Sequence, residues 1–146
     1  MIFLAFLLDG IFSLYFSNVS FLFTISTIAF ISYNDDTNLF SIMVVGILYD
    51  IVYTNTIIVN TLIFYILFLI SLAYNKKYRR NLFNLILLNN IVTILYILFT
   101  YLLLRFYGVI NYNIFYMLIS ILKCLILNSF YIIILYILFH KNKFYT

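Results

Sequence analysis

The chain has no proline, no tryptophan and no glutamate, and only one cysteine and three glycines in 146 residues. Each scarcity excludes something. Without proline or paired glycines, the usual causes of sharp helix kinks are missing. The single thiol, Cys124, cannot form an intramolecular disulfide. The four acids are all aspartate, and the one histidine is His140, near the C-terminus. A long relay of carboxylates and imidazoles for moving protons therefore cannot be assembled. Nor is there an HExxH, a CxxC, a Ser-His-Asp set or a glycine-rich phosphate loop, so no catalytic role and no cofactor or metal are expected.

Charge is the scarcest resource. Only 8% of the residues are charged and 67% are hydrophobic, whereas a soluble domain carries about a quarter charged residues. Such a chain cannot present a wettable surface, and an integral membrane protein is the reading that remains. All 146 residues are expected to form one membrane domain. The start lacks a basic stretch and a small-residue cleavage site, so no removable signal peptide is expected. No lipidation motif is visible.

What is present is a series of apolar runs. Residues 56–74, 82–104 and 114–139 each reach the roughly 17–25 residues that a spanning helix needs. The first 54 residues divide at 17–20 and 34–38 into the shorter runs 1–16, 21–33 and 39–54. These are continuous rather than alternating, which favours an all-helical bundle over a barrel. Six spans are expected, and four or five remain open if some of the short runs are re-entrant.

Basic residues orient the bundle. Lys76, Lys77, Arg79 and Arg80 cluster after the fourth run, and Lys141 and Lys143 follow the sixth. With six spans both clusters share one side, which the positive-inside rule makes cytoplasmic, and both termini lie there too. Among the outer loops only Arg105 is basic. The clusters serve topology and contact with anionic lipid; nucleic acid is not an expected partner.

Three charges lie well inside apolar runs: Asp9, Asp50 and Lys123. An intramembrane charge costs at least about 2.5–3.5 kcal/mol, so such groups face the interior and pair. Helical spacing groups Asp9 with Ser13 and Ser17, and Gly46 with Asp50, Tyr53 and Thr54. Thr56 and Asn60 open the fourth helix; Asn89, Thr93, Tyr96 and Thr100 line the fifth. Ser120 and Lys123 share a side of the sixth, with Asn128 turned away. An ion pair between Lys123 and Asp50 or Asp9 is expected. These polar groups either fix the helices and form a seam for a partner, or line a pathway for a solute. Paired charges with no third acid favour the former. The neighbouring Asp35 and Asp36 read as solvated loop acids.

The stretches "LLDGIFSLYFS" (7–17) and "GILYDIVYTN" (46–55) resemble the MreD family of bacterial rod shape-determining membrane proteins. The shared features are an acid followed by glycine near the N-terminus, here Asp9 and Gly10, and a G-x-x-x-D helical turn, here Gly46 to Asp50, with a small polar residue soon after, here Thr54. A late asparagine, Asn128 in "LILNSF", is also family-like. The chain departs in having Ile57 and Ile58 where members tend to carry glycine, and Lys123 about where a proline often stands.

The resemblance implies a six-transmembrane-helix bundle like the substrate-binding subunit of energy-coupling-factor transporters. It implies a non-catalytic scaffold of the cell-elongation machinery in the bacterial cell membrane, supporting peptidoglycan synthesis and cell shape. The implied partners are MreC and, around it, RodA, a class B penicillin-binding protein and MreB. On this likeness Asp9, Gly46, Asp50, Lys123 and Asn128 are structural or partner-binding residues. The alternative is a vitamin-binding membrane subunit of such a transporter.

Overall fold

The computed structural model describes residues 1–15, 22–34, 39–54, 58–79, 81–106, 108 and 114–140. They form six α-helices: α1 (Ile2–Tyr15), α2 (Phe23–Tyr33), α3 (Leu39–Tyr49), α4 (Val59–Lys77), α5 (Leu82–Phe106) and α6 (Ile114–His140). No strand occurs among the described residues. Continuous apolar runs leave helix as the form in which a chain satisfies its own backbone groups without water.

Three segments are long and apolar enough to cross a membrane: Val59–Lys77, Leu82–Leu103 and Met117–Phe139. The others are short. α2 has 11 residues, a rise of about 17 Å, barely half a hydrocarbon core of about 30 Å. Its placement accounts for its sequence. Every residue of α2 is buried, including Thr24, Ser26, Thr27 and Ser32, because α1, α4, α5 and α6 all pack around it. A helix enclosed on all sides has no polar face, and α2 shows none. Three of these hydroxyls turn back onto the backbone instead: Ser26 donates to the Leu22 carbonyl at 3.3 Å, Thr27 to the Phe23 carbonyl at 2.8 Å and Ser32 to the Ala29 carbonyl at 2.8 Å.

The core centres on Ile25 and Ile28 of α2, Phe64 and Phe68 of α4, and Leu88 and Val92 of α5. A run of ring contacts crosses it, from Phe6 on α1 to Tyr53 (5.2 Å between centroids), then Tyr49 (4.7 Å), Phe64 (5.4 Å) and Tyr96 on α5 (6.0 Å). These separations lie in the range where tilted aromatic pairs attract.

The third run does not end as a plain helix. After Tyr49, residues Asp50–Thr54 form a turn of π-helix, a wider winding that tends to mark functional positions. Ile58 takes the left-handed conformation with φ 70° before α4 begins at Val59. α4 thus starts three residues later than the sequence predicts, and Thr56, expected to open it, lies outside the described residues. At its other end Lys76 and Lys77 occupy the last turn, where cations complement the helix dipole. α5 begins with a local cap: the Asn84 backbone N–H donates to Asn81 Oδ1 at 2.8 Å.

Candidate functional site: two buried carboxylates at helix N-termini

The first four N–H groups of a helix have no partner within it. A local cap normally takes up one of them. At α2 and α4 the cap positions are Leu22 and Ile58, and neither offers a side-chain hydrogen bond. The need is met from elsewhere in the chain.

Asp9, in the middle of α1, meets it for α2. Its Oδ1 accepts the Phe23 N–H at 2.7 Å, and its Oδ2 accepts the Thr24 N–H at 3.0 Å and the Thr24 hydroxyl at 2.6 Å. Asp50, at the head of the π-turn, meets it for α4. Its Oδ1 accepts the Asn60 N–H at 2.8 Å, and its Oδ2 accepts the Thr61 N–H at 3.2 Å and the Thr61 hydroxyl at 3.0 Å. The two arrangements match atom for atom. In each, one oxygen takes a backbone N–H, and the other takes the next N–H together with the hydroxyl of that same threonine. The device occurs once in α1–α2 and again in α3–α4.

Asp50 carries more. The Asn60 side-chain amide donates both to Asp50 Oδ1 at 2.9 Å and to Thr54 Oγ1 at 3.0 Å. The Tyr96 hydroxyl donates to Asn60 Oδ1 at 3.1 Å. The second carboxylate is therefore the centre of a network joining the π-turn, α4 and α5.

Both carboxylates are almost fully enclosed, Asp9 at 3% exposure and Asp50 at 2%. A buried charge needs a countercharge and donors. Here the N-terminal end of a helix dipole supplies the first, and two backbone N–H groups with a hydroxyl supply the second. A carboxylate has about four acceptor sites; among the described residues Asp9 has three donors and Asp50 at least four.

Two glycines allow the close approach. A Cβ on Gly46 would lie 2.6 Å from the Thr61 Cα, so only glycine lets α4 come near enough to α3 for Asp50 to reach it. A Cβ on Gly10 would collide with the Tyr53 hydroxyl. That hydroxyl donates to the Phe6 carbonyl of α1 at 3.2 Å, tying the π-turn to the first helix.

The expected ion pair does not form. Lys123 is exposed on the outside of α6, and among the described residues no ion pair involves it. The physical reason lies in the carboxylates. Helix N-termini already provide the positive partner, so an ammonium would have to displace short, charge-assisted bonds to enter. Asn128, on the other side of α6, is fully buried. Its amide donates to Thr93 Oγ1 on α5 at 3.3 Å. One turn away on α5, Asn89 is fully buried too. Among the described residues neither its amide nitrogen nor its oxygen has a partner, and Asn128 Oδ1 also lacks one.

The remaining polar groups divide. Ser13 is exposed and donates to the Gly10 carbonyl at 2.8 Å. Thr100 donates to the Tyr96 carbonyl at 2.9 Å. Lys76, Lys77 and Arg79 are exposed. Arg80, Lys141 and Lys143, as well as Ser17, Asp35 and Asp36, lie outside the described residues.

Sequence reasoning missed Phe23, Thr24 and Thr61 as partners of the acids. A signal for them exists. Each acid is followed, 15 or 11 residues on, by a threonine at the start of an apolar run that lacks a cap of its own. No family model, no curated protein and no solved structure matches the chain.

Proposed function

We propose that the protein is a non-catalytic membrane scaffold resembling the MreD family, with six spans and both termini cytoplasmic, acting with MreC in bacterial cell elongation and shape. The observation that supports this reading most is the condition of the two intramembrane acids. Both oxygens of Asp9 and of Asp50 are engaged by helix N-termini and hydroxyls, so the two carboxylates hold helix pairs together. Of the residues on which the likeness rests, Asp9 sets α1 against α2, Gly10 lets Tyr53 of the π-turn approach α1, and Gly46 with Asp50 sets α3 against α4. A protein whose polar residues serve its own architecture suits a role of holding other proteins in place.

The alternative, a vitamin-binding subunit, would need convergent polar groups towards the outer surface. In the proposed topology α5 runs outward from Leu82, so the unpartnered Asn89 amide falls in its inner half.

Affinity purification of the tagged full chain from native membranes, followed by mass spectrometry, tests the scaffold reading. MreC is expected among the partners in stoichiometric amount. Its absence, together with sub-micromolar binding of a vitamin to the purified protein, would reverse the order of the two readings. The topology is tested in a Cys124→Ser background. A cysteine at Lys77 should react with an impermeant maleimide only after the membrane is opened.

A further inference from the structure

We infer that the outward face of α6 around Lys123 is a docking surface for a transmembrane helix that carries a carboxylate in its outer half. The inference rests on the scaffold reading only in taking the chain to be a membrane protein that binds partners, and it concerns a surface that this reading does not specify.

An exposed apolar helix face is no evidence of a partner, because lipid covers it equally well. Lys123 is what sets this face apart. It is the tenth residue of α6, about 13 Å along the helix axis from its first residue. It is exposed beside Leu122 and Ile126, both exposed as well. A lysine that far from a helix end, facing hydrocarbon, is costly unless something meets it. Arg105 provides the contrast. It lies in the last turn of α5, exposed at the helix end, where headgroups reach a cation directly.

The chain cannot meet Lys123 itself. Of its four acids, Asp9 and Asp50 are buried and held by helix N-termini. Asp35 and Asp36 follow α2 in sequence, on the side that the proposed topology makes cytoplasmic, whereas Lys123 belongs to the outer half of α6. A second copy offers the same four acids and fails for the same reason. The countercharge must come from a different chain, at membrane depth, on an element that satisfies its own backbone there, which is a helix.

The shape of the face suits one. Leu118, Leu122, Ile126, Phe130, Ile134 and Leu138 are all exposed. Their spacing of four makes a continuous ridge of the kind that seats in the groove of a neighbouring helix. Lys123 flanks it, so a helix packed on the ridge places its own side chains beside the ammonium.

The test uses the full chain in phosphatidylcholine nanodiscs and synthetic Leu/Ala transmembrane peptides that differ at one residue in the outer third: Glu, Gln or Leu. Energy transfer between labelled chain and labelled peptide reads association. The Glu peptide is expected to bind about tenfold more tightly than the Leu peptide. The preference should vanish in Lys123→Met and survive in Lys123→Arg. Equal binding of the three peptides, or a Glu preference that persists in Lys123→Met, would overturn the inference. So would Lys123-dependent self-association without peptide, which would make the occupant a second copy. Loss of the preference when phosphatidylglycerol replaces phosphatidylcholine would assign the lysine to lipid headgroups instead. None of these outcomes bears on whether MreC co-purifies, so the two readings fail separately.

Discussion

Gly46 lies so close to Thr61 that a Cβ on the glycine would stand 2.6 Å from the Thr61 Cα, a backbone atom that cannot swing aside. This contact sets how near α4 comes to Asp50. Gly46→Ala must push the helices apart, which lengthens the bonds from Asn60 and Thr61 to the carboxylate. A loss of about 2–3 kcal/mol in unfolding stability in detergent is expected, the upper range for overpacking. Gly10→Ala meets only the end of the Tyr53 side chain, which can turn away, so its cost should be clearly smaller. Equal losses for the two variants would contradict this account.

The carboxylates make a second comparison. Asp9→Leu leaves two buried N–H groups and a hydroxyl without an acceptor, and Asp50→Leu leaves the matching three groups of α4 and takes one of the Asn60 amide's two acceptors. Each unsatisfied buried group costs about 1–3 kcal/mol. Both variants are expected to lose at least about 3 kcal/mol in thermal or denaturant unfolding, Asp50→Leu the more. Asp→Asn keeps one acceptor oxygen and should recover part of that loss at either site. An Asn variant no better than Leu would show that charge, not hydrogen bonding, holds the helices.

Lys123 should be indifferent to both acids. Being exposed and, among the described residues, without an ion pair, it should lose no stability in the isolated protein on replacement by methionine, and in a bilayer the replacement should if anything stabilise it, because an unmet charge leaves the hydrocarbon. A double-mutant cycle of Lys123→Met with Asp50→Leu should give a coupling energy near zero. Coupling above about 1 kcal/mol would mean that the lysine reaches the carboxylate in the folded protein.

Asn89 is expected to behave oppositely to the aspartates. Its amide is buried with neither polar atom partnered. Replacing an unsatisfied amide with a leucine of similar size removes a desolvation cost, and Asn89→Leu should raise unfolding stability by about 1 kcal/mol or more. A marked loss instead would show that a bound molecule satisfies the amide in the native protein, and calorimetric or mass-spectrometric detection of that molecule would be the next measurement.

The sequence by itself determined the helices and where most of them stop. Runs predicted at 82–104 and 114–139 appear as Leu82–Phe106 and Ile114–His140, because a long, continuous apolar run satisfies its backbone away from water as a helix. It also marked Asp9, Gly46 and Asp50 as unusual, since a charge or a bare backbone stands out against so apolar a chain. What those residues do was decided by tertiary structure. The local cap of α5 at Asn81 is three residues from the N–H it serves, so it follows from rules of short spacing. The caps of α2 and α4 come from Asp9 and Asp50, 14 and 10 residues upstream. That distance is closed only when α1 packs on α2 and α3 on α4. Pairing by charge pointed to Lys123, because opposite formal charges are visible in a sequence and helix N-termini are not. The positive end of a helix is a property of backbone order, and it can claim a carboxylate only once packing has brought the two together.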